Sequence, residues 1–329
     1  MKKGITKIVF DMKGFAHVLG AILMVLAFIF IGGRLINMWH EIDLSVLVSH
    51  WAIIGLIAIV LIETFNMYAS AFNYRSIIGN ISGIYVKKTL ALLVYTSSNL
   101  YKYIPGGVMF FIGRNQIVFK NKKLTHGEVA LSTLLESVLW VVVGITIAAL
   151  YALYYPLNYL REHGITPLVS IAALIVVLMA IIIAYYFRKG ILEIYHNIKK
   201  KNKDFRLSVI LKRFGSTFII INIWALSFLL TVIVMGQDVT LASAITIMGL
   251  YTLAWLAGFL VPVSPGGIGI REAVLLVFLT GIVNEGVLIS AMLMHRILQI
   301  AGDVLAYLWV ATYNRFLKDK LILEKSNQS

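Results

Sequence analysis

Apolar residues run along this chain in blocks long enough to cross a membrane, and short polar clusters separate them. Six blocks read as full helical spans: 15–37, 46–72, 127–151, 167–187, 214–236 and 286–313. The criterion is physical, since about 20 apolar residues in helical form cover the roughly 30 Å of hydrocarbon in a bilayer. Two further blocks, 89–119 and 241–283, are equally apolar but carry Pro-Gly-Gly near their middles. Proline removes a backbone donor and glycine loosens the chain, so both blocks are predicted to be broken helices.

Composition agrees with the pattern. Of 329 residues, 60% are hydrophobic and 13% charged, and the mean hydropathy is +0.89. A water-soluble fold cannot hide that much apolar surface, so the chain reads as one all-α integral membrane domain over 1–329. The absence of cysteine excludes disulfides, thiolate metal sites and cysteine nucleophiles. The basic start before the run 15–31 has the order of a secretion signal. The run is too long for one and no small-residue cleavage site follows, so it is read as a retained first span.

The net charge of +14 changes the picture once its placement is considered. Lys2, Lys3, Lys7 and Lys13 precede the first span; Arg75, Lys87 and Lys88 follow the second. Lys120, Lys122 and Lys123 follow the first broken block, the densest cluster fills 188–213, and Arg315, Lys318 and Lys320 follow the last span. The other connections are acidic, with Glu41, Asp43, Glu162, Asp238 and Glu285. Basic loops face the cytoplasm. Both termini are therefore expected inside the plasma membrane. The first broken block is expected to enter and leave from the cytoplasm, the second from outside. Each is then a hairpin; the first is short enough to favour re-entry, and the second is compatible with either re-entry or two spans.

The two breaks resemble each other. YIPGGVMFFIGRNQIVF (103–119) and PVSPGGIGIREAVLLVF (262–278) both run from Pro-Gly-Gly through an arginine to an apolar segment ending in Phe. A long span with ionisable residues follows each. Halves 46–151 and 214–313 therefore read as an internal repeat of inverted topology, in which discontinuous helices meet near the midplane. A helix restarting near Gly267 would offer free N–H groups to an anion, with Arg271 adding a full charge suited to phosphate. Gly106, Gly107 and Arg114 would repeat this from the other side. The competing reading has Arg271 paired with Glu272 or another carboxylate, tying helices together.

Three polar stripes mark helix faces: Arg296, Gln299 and Asp303; Glu128, Ser132 and Glu136; Glu63, Asn66 and Ser70. Charges inside a membrane usually face a partner or a wet path. Function is the reading for Glu136, Arg296 and Asp303, and interhelical hydrogen bonding for the Glu63 stripe. His295 has no second histidine at ligand spacing and reads as a packing or hydrogen-bonding residue. The basic loop 188–213 alternates apolar and cationic positions, as an interfacial helix held to anionic lipids would. GGIGIRE lacks a dinucleotide-binding spacing, so no nucleotide or other cofactor is expected, and nucleic acid is not the partner.

PVSPGGIGIRE, with NLYKYIPGGVMFFIGR and the Glu136 and Arg296 positions, resembles the transmembrane region of lysylphosphatidylglycerol synthases. The resemblance covers nearly the whole chain. In the bifunctional multiple-peptide-resistance factors this region looks like the flippase part, which moves aminoacylated phospholipid between leaflets. The resemblance implies substrate-binding roles for Asn99, Pro105, Gly106, Gly107, Arg114 and Glu136 in the first half. In the second half it implies the same for Pro265, Gly266, Gly267, Arg271, Glu272, Arg296 and Asp303. Family members often carry an arginine after the glutamate matching Glu136; Ser137 stands there, which weakens the expectation of a charge pair in that half. The chain ends soon after its last span, and its longest loop is too short for a tRNA-binding domain. The expected activity is thus lipid translocation, giving resistance to antimicrobial peptides, rather than catalysis. The alternatives are a phosphatidylglycerol lysyltransferase or a membrane subunit for a separately encoded synthase or glycosyltransferase. A homo-oligomer stays open as well.

Overall fold

The computed structural model describes residues 49–103, 109–120, 123–154, 206–261 and 265–326. The expected spans 15–37 and 167–187, the residues Pro105, Gly106 and Gly107, and most of the basic loop lie outside the described residues. What is described is all-helical. The long helices are α1 (His50–Ser82), α5 (His126–Tyr154), α6 (Leu207–Val234), α7 (Leu241–Leu260) and α9 (Glu285–Ser326). Between them lie α2 (Lys88–Leu100), α3 (Met109–Arg114), α4 (Gln116–Lys120) and α8 (Ile270–Leu279), with 3-10 turns at Tyr101–Tyr103 and Pro265–Gly267. Among the described residues, 5 helices are long and apolar enough to cross a membrane: α1, α5, α6, α7 and α9.

Helix ends follow local chemistry. Ser49 caps α1 by accepting the Ala52 N–H at 3.1 Å, and Gly83 ends it in the left-handed region at φ 73°. Thr240 and Ser243 form a capping box at the start of α7. Thr125 and Glu128 do similar work for α5, with Glu128 Oε2 accepting from the Thr125 N–H and hydroxyl, both at 2.8 Å. The expected Glu128–Ser132–Glu136 stripe lies buried along α5. Glu128 is buried at the helix end, Ser132 bonds back to the Glu128 carbonyl at 2.6 Å, and Glu136 lies two turns deeper.

Two boundaries also move. The second span, expected at 46–72, is a helix that runs on to Ser82. Arg75, read as a loop cation, lies within this helix and donates to the Val86 carbonyl, and polar residues around it bond to the segment that begins α6. Asn73 donates to Thr217 at 2.8 Å, and Asn80 and the Arg206 backbone exchange two bonds. The segment 207–213, read as the end of the basic loop, forms the first turns of α6.

Packing is closest where small residues let backbones approach. A side chain on Gly302 of α9 would place its Cβ 2.6 Å from the Glu63 Cβ on α1, so these helices cross in direct contact. Phe228, Tyr251, Leu275, Leu276 and Met292 gather α6, α7, α8 and α9 into the largest apolar core. A second cluster stacks Trp140 on Trp224, with Trp255 against both. Large apolar side chains such as Trp51, Phe65, Ile219 and Trp309 point outward, as they would toward lipid. The 10 residues of α8 cover only about 15 Å, half the hydrocarbon depth.

Candidate functional site

The second break is built by glycine. Gly267 holds φ 72°, and a Cβ there would sit 3.0 Å from the Gly258 Cα, so α7 and the turn touch backbone to backbone. Only glycine supplies both that conformation and that clearance. The helix restarts at Ile270 rather than near Gly267, and its first donor is not left free. Glu272 Oε2 accepts the Gly269 N–H at 2.7 Å. An internal carboxylate thus occupies part of the helix end that the sequence suggested for an anion.

Arg271 and Glu272 are neighbours with different partners. Glu272 Oε1 accepts from Arg296 Nε at 2.6 Å, and Arg296 Nη1 donates to the Gly266 carbonyl at 2.9 Å. Arg296 thereby ties α9 to the break, while its Nη2 stays buried without a hydrogen-bond partner. Arg271 is only 4% exposed, donates to Gln299 Oε1 at 3.2 Å and to the Tyr251 hydroxyl, and lies 4.7 Å from the centre of the Tyr251 ring. All of these partners are neutral. Among the described residues no carboxylate comes within ion-pair distance of Arg271, so neither Glu272 nor another described carboxylate is bonded to it.

The first break places Arg114 in an opposite situation. This guanidinium is 1% exposed and forms an ion pair with Glu136, itself 2% exposed. Tyr74, Tyr95 and Phe110 present their rings at 4.2, 4.1 and 4.4 Å, and the Tyr95 hydroxyl donates to Glu136 Oε1 at 3.1 Å. The expectation drawn from Ser137 is therefore corrected. Glu136 is charge-paired, and its partner comes from the first break rather than from the next residue. Ser137 bonds only to the Thr133 carbonyl at 3.0 Å. Asn99, at the end of α2, keeps its amide nitrogen buried and without a hydrogen-bond partner.

The stripe on α9 connects the breaks. Arg296 and Gln299 reach the second, as described. Asp303, one turn on, accepts from Lys102 Nζ and the Tyr103 hydroxyl, each at 2.6 Å, and these residues belong to the turn that begins the first break. The breaks also touch, since a Cβ on Gly266 would lie 3.7 Å from the Tyr103 ring. The structure thus brings together Gly266, Arg271, Glu272, Arg296 and Asp303. Arg114 and Glu136 form a separate cluster, to which no hydrogen bond or ion pair runs from the first among the described residues.

Sequence reasoning overlooked Lys102, Tyr103 and Tyr251. The first two stand just upstream of Pro-Gly-Gly, separated from it by Ile104, a position that signals a break but not its partner. Nothing in the sequence marks Tyr251, 20 residues before Arg271. In the Glu63 stripe, Asn66 donates to the Ile220 carbonyl at 3.0 Å and Ser70 to the Asn66 carbonyl at 2.9 Å, as interhelical and local bonding would have it. Glu63 is 2% exposed and accepts from the Ser227 hydroxyl at 2.5 Å. His295 sits between Tyr251 and Thr231, at 2.9 and 3.3 Å, with its ring edge-on to Phe228.

A family model described as lysylphosphatidylglycerol synthase TM region matches residues 14–306. No curated protein matches the chain.

Proposed function

We propose that this chain, which belongs to the lysylphosphatidylglycerol synthase transmembrane-region family, is a lipid translocase. It moves a phospholipid such as aminoacyl-phosphatidylglycerol, or a lipid-linked headgroup, between the leaflets of the cytoplasmic membrane. The observation that carries this reading is Arg271, a buried guanidinium at the meeting of two broken segments with only neutral partners. Burying an ion without a counter-charge costs several kcal/mol. A lipid phosphate supplies that counter-charge and matches the planar guanidinium in bidentate geometry. Broken helices suit such a path, because their loose backbone groups are tolerated in a membrane only inside protein or along a wet cavity.

The finer architecture belongs to the same reading. Six spans and two oppositely opening hairpins, related as an inverted repeat with both termini inside, would expose the Arg271 region to each leaflet in turn. The basic segment 188–213 would rest on anionic lipid. Purified protein in liposomes is expected to accelerate leaflet exchange of a labelled phospholipid. Loss of charge-assisted bonds of about 1.5–3 kcal/mol should slow exchange by Arg271→Ala about 10- to 100-fold. Exchange no faster than in protein-free liposomes, across aminoacyl, anionic and lipid-linked substrates, overturns the proposal. The family's description also names a synthase, so a second reading is lysyl transfer to phosphatidylglycerol. Its signature is lysyl-lipid in a host that makes none until this chain is expressed.

A further inference from the structure

Three cation–carboxylate pairs are bonded at the breaks: Lys102 with Asp303, Arg114 with Glu136, and Arg296 with Glu272. Among the described buried charges, Arg271 and Glu63 stand outside those pairs. Arg271 has neutral partners, and Glu63 has only the Ser227 hydroxyl. Both are buried, at 4% and 2% exposure, and a run of hydrogen bonds joins them: Ser227 donates to Glu63, Thr231 to the Ser227 carbonyl, His295 bonds to Thr231 and Tyr251, and Arg271 donates to Tyr251. Separate elements hold them apart. Glu63 is fixed at the α1–α9 crossing against Gly302, while Tyr251 of α7 and Gln299 of α9 hold Arg271.

In a medium of low dielectric, such a pair is tolerated because its charges sum to zero. An anion arriving at Arg271 destroys that balance. The guanidinium is then neutralised at contact distance, and the Glu63 carboxylate becomes a surplus negative charge. The lowest-cost response of a buried carboxylate in that position is to take a proton. We propose that Glu63 is a proton-binding site coupled to the anion site at Arg271, so that one proton enters with each lipid phosphate and leaves with it. The charge balances at every stage: guanidinium plus carboxylate when empty, guanidinium plus phosphodiester plus neutral carboxylic acid when filled. This inference rests on the reading of Arg271 as the phosphate contact and adds to it a coupling to protons.

The groups around Glu63 leave it as the carrier. On α9, Asp303 is neutralised by Lys102 of the first turn, and Arg296 by Glu272 of α8. From α6 comes only the Ser227 hydroxyl, and from α7 the neutral Tyr251. On α2 and α5, Tyr95 and Glu136 are directed at Arg114. His295 of α9 is the rival proton carrier, because it bonds to the same Tyr251 hydroxyl that Arg271 contacts.

The test is binding of dihexanoyl phosphatidylglycerol to the purified full chain in detergent over roughly pH 5 to 8, where the phosphodiester keeps one charge. Binding that takes up a proton is tightest at low pH. As pH rises past the point where the free site loses its proton, affinity should fall by about tenfold per pH unit. Glu63→Gln, a fixed neutral mimic, should bind tightly with no pH slope. His295→Gln should keep the slope, and Arg271→Ala should lose binding. Proton release to or uptake from a weakly buffered solution gives a readout that needs no variant, with about one proton taken up per lipid bound. A flat wild-type profile without proton uptake, while Arg271→Ala still loses binding, overturns the coupling and leaves the phosphate site standing. A slope retained in Glu63→Gln, or abolished in His295→Gln, overturns the assignment to Glu63. Wild-type binding by Arg271→Ala overturns the phosphate reading and this inference with it.

Discussion

Arg114 and Arg271 occupy corresponding places after the two Pro-Gly-Gly sequences, yet their surroundings give them different work. Arg114 has a carboxylate and three aromatic faces; Arg271 has a phenol and an amide. Removing one member of a fully buried ion pair strands the other charge, at a cost of about 3–5 kcal/mol. Arg114→Ala is therefore expected to lower stability by that amount in thermal unfolding of the detergent-solubilised protein. The double variant Arg114→Met with Glu136→Leu should recover most of it, since an apolar pair of similar volume carries no stranded charge. Arg271→Ala leaves no bonded carboxylate behind, so its stability loss should be the smaller of the two.

At the scale of elements, much of the fold could be read from the sequence and the partner choices could not. Hydropathy located α1, α5, α6, α7 and α9, and the Pro-Gly-Gly sequences marked where helices stop. The end of α1 was misplaced because Arg75 reads as a loop cation, whereas it lies within α1 and donates to the Val86 carbonyl. The link from Tyr103 to Asp303 spans 200 residues and depends on the rotation of α9 about its axis, which no local pattern encodes. That link holds the first turn to α9 by two short bonds, each to an ionised carboxylate. Charge-assisted bonds contribute about 1.5–3 kcal/mol each. Asp303→Ala should therefore raise amide hydrogen exchange across Tyr101–Tyr103 by roughly 10- to 1,000-fold. The centre of α9 should stay protected.

At the scale of the molecule, α9 is the common member. Its 42 residues reach about 63 Å, twice the depth of the hydrocarbon, and one face meets both breaks. The expected orientation can be tested because the chain has no native cysteine. With basic loops inside, Asp238→Cys should react with an impermeant maleimide added outside intact cells, and Lys123→Cys only after permeabilisation. The contacts of α9 also govern how this sequence can drift over generations. A lineage that loses Asp303 can be rescued only by change at Lys102 or Tyr103, and one that loses Glu272 only by change at Arg296 or the glycine turn. These positions are therefore expected to change together. Arg271 has no bonded carboxylate among the described residues, so its history should follow the substrate and the proton site at Glu63.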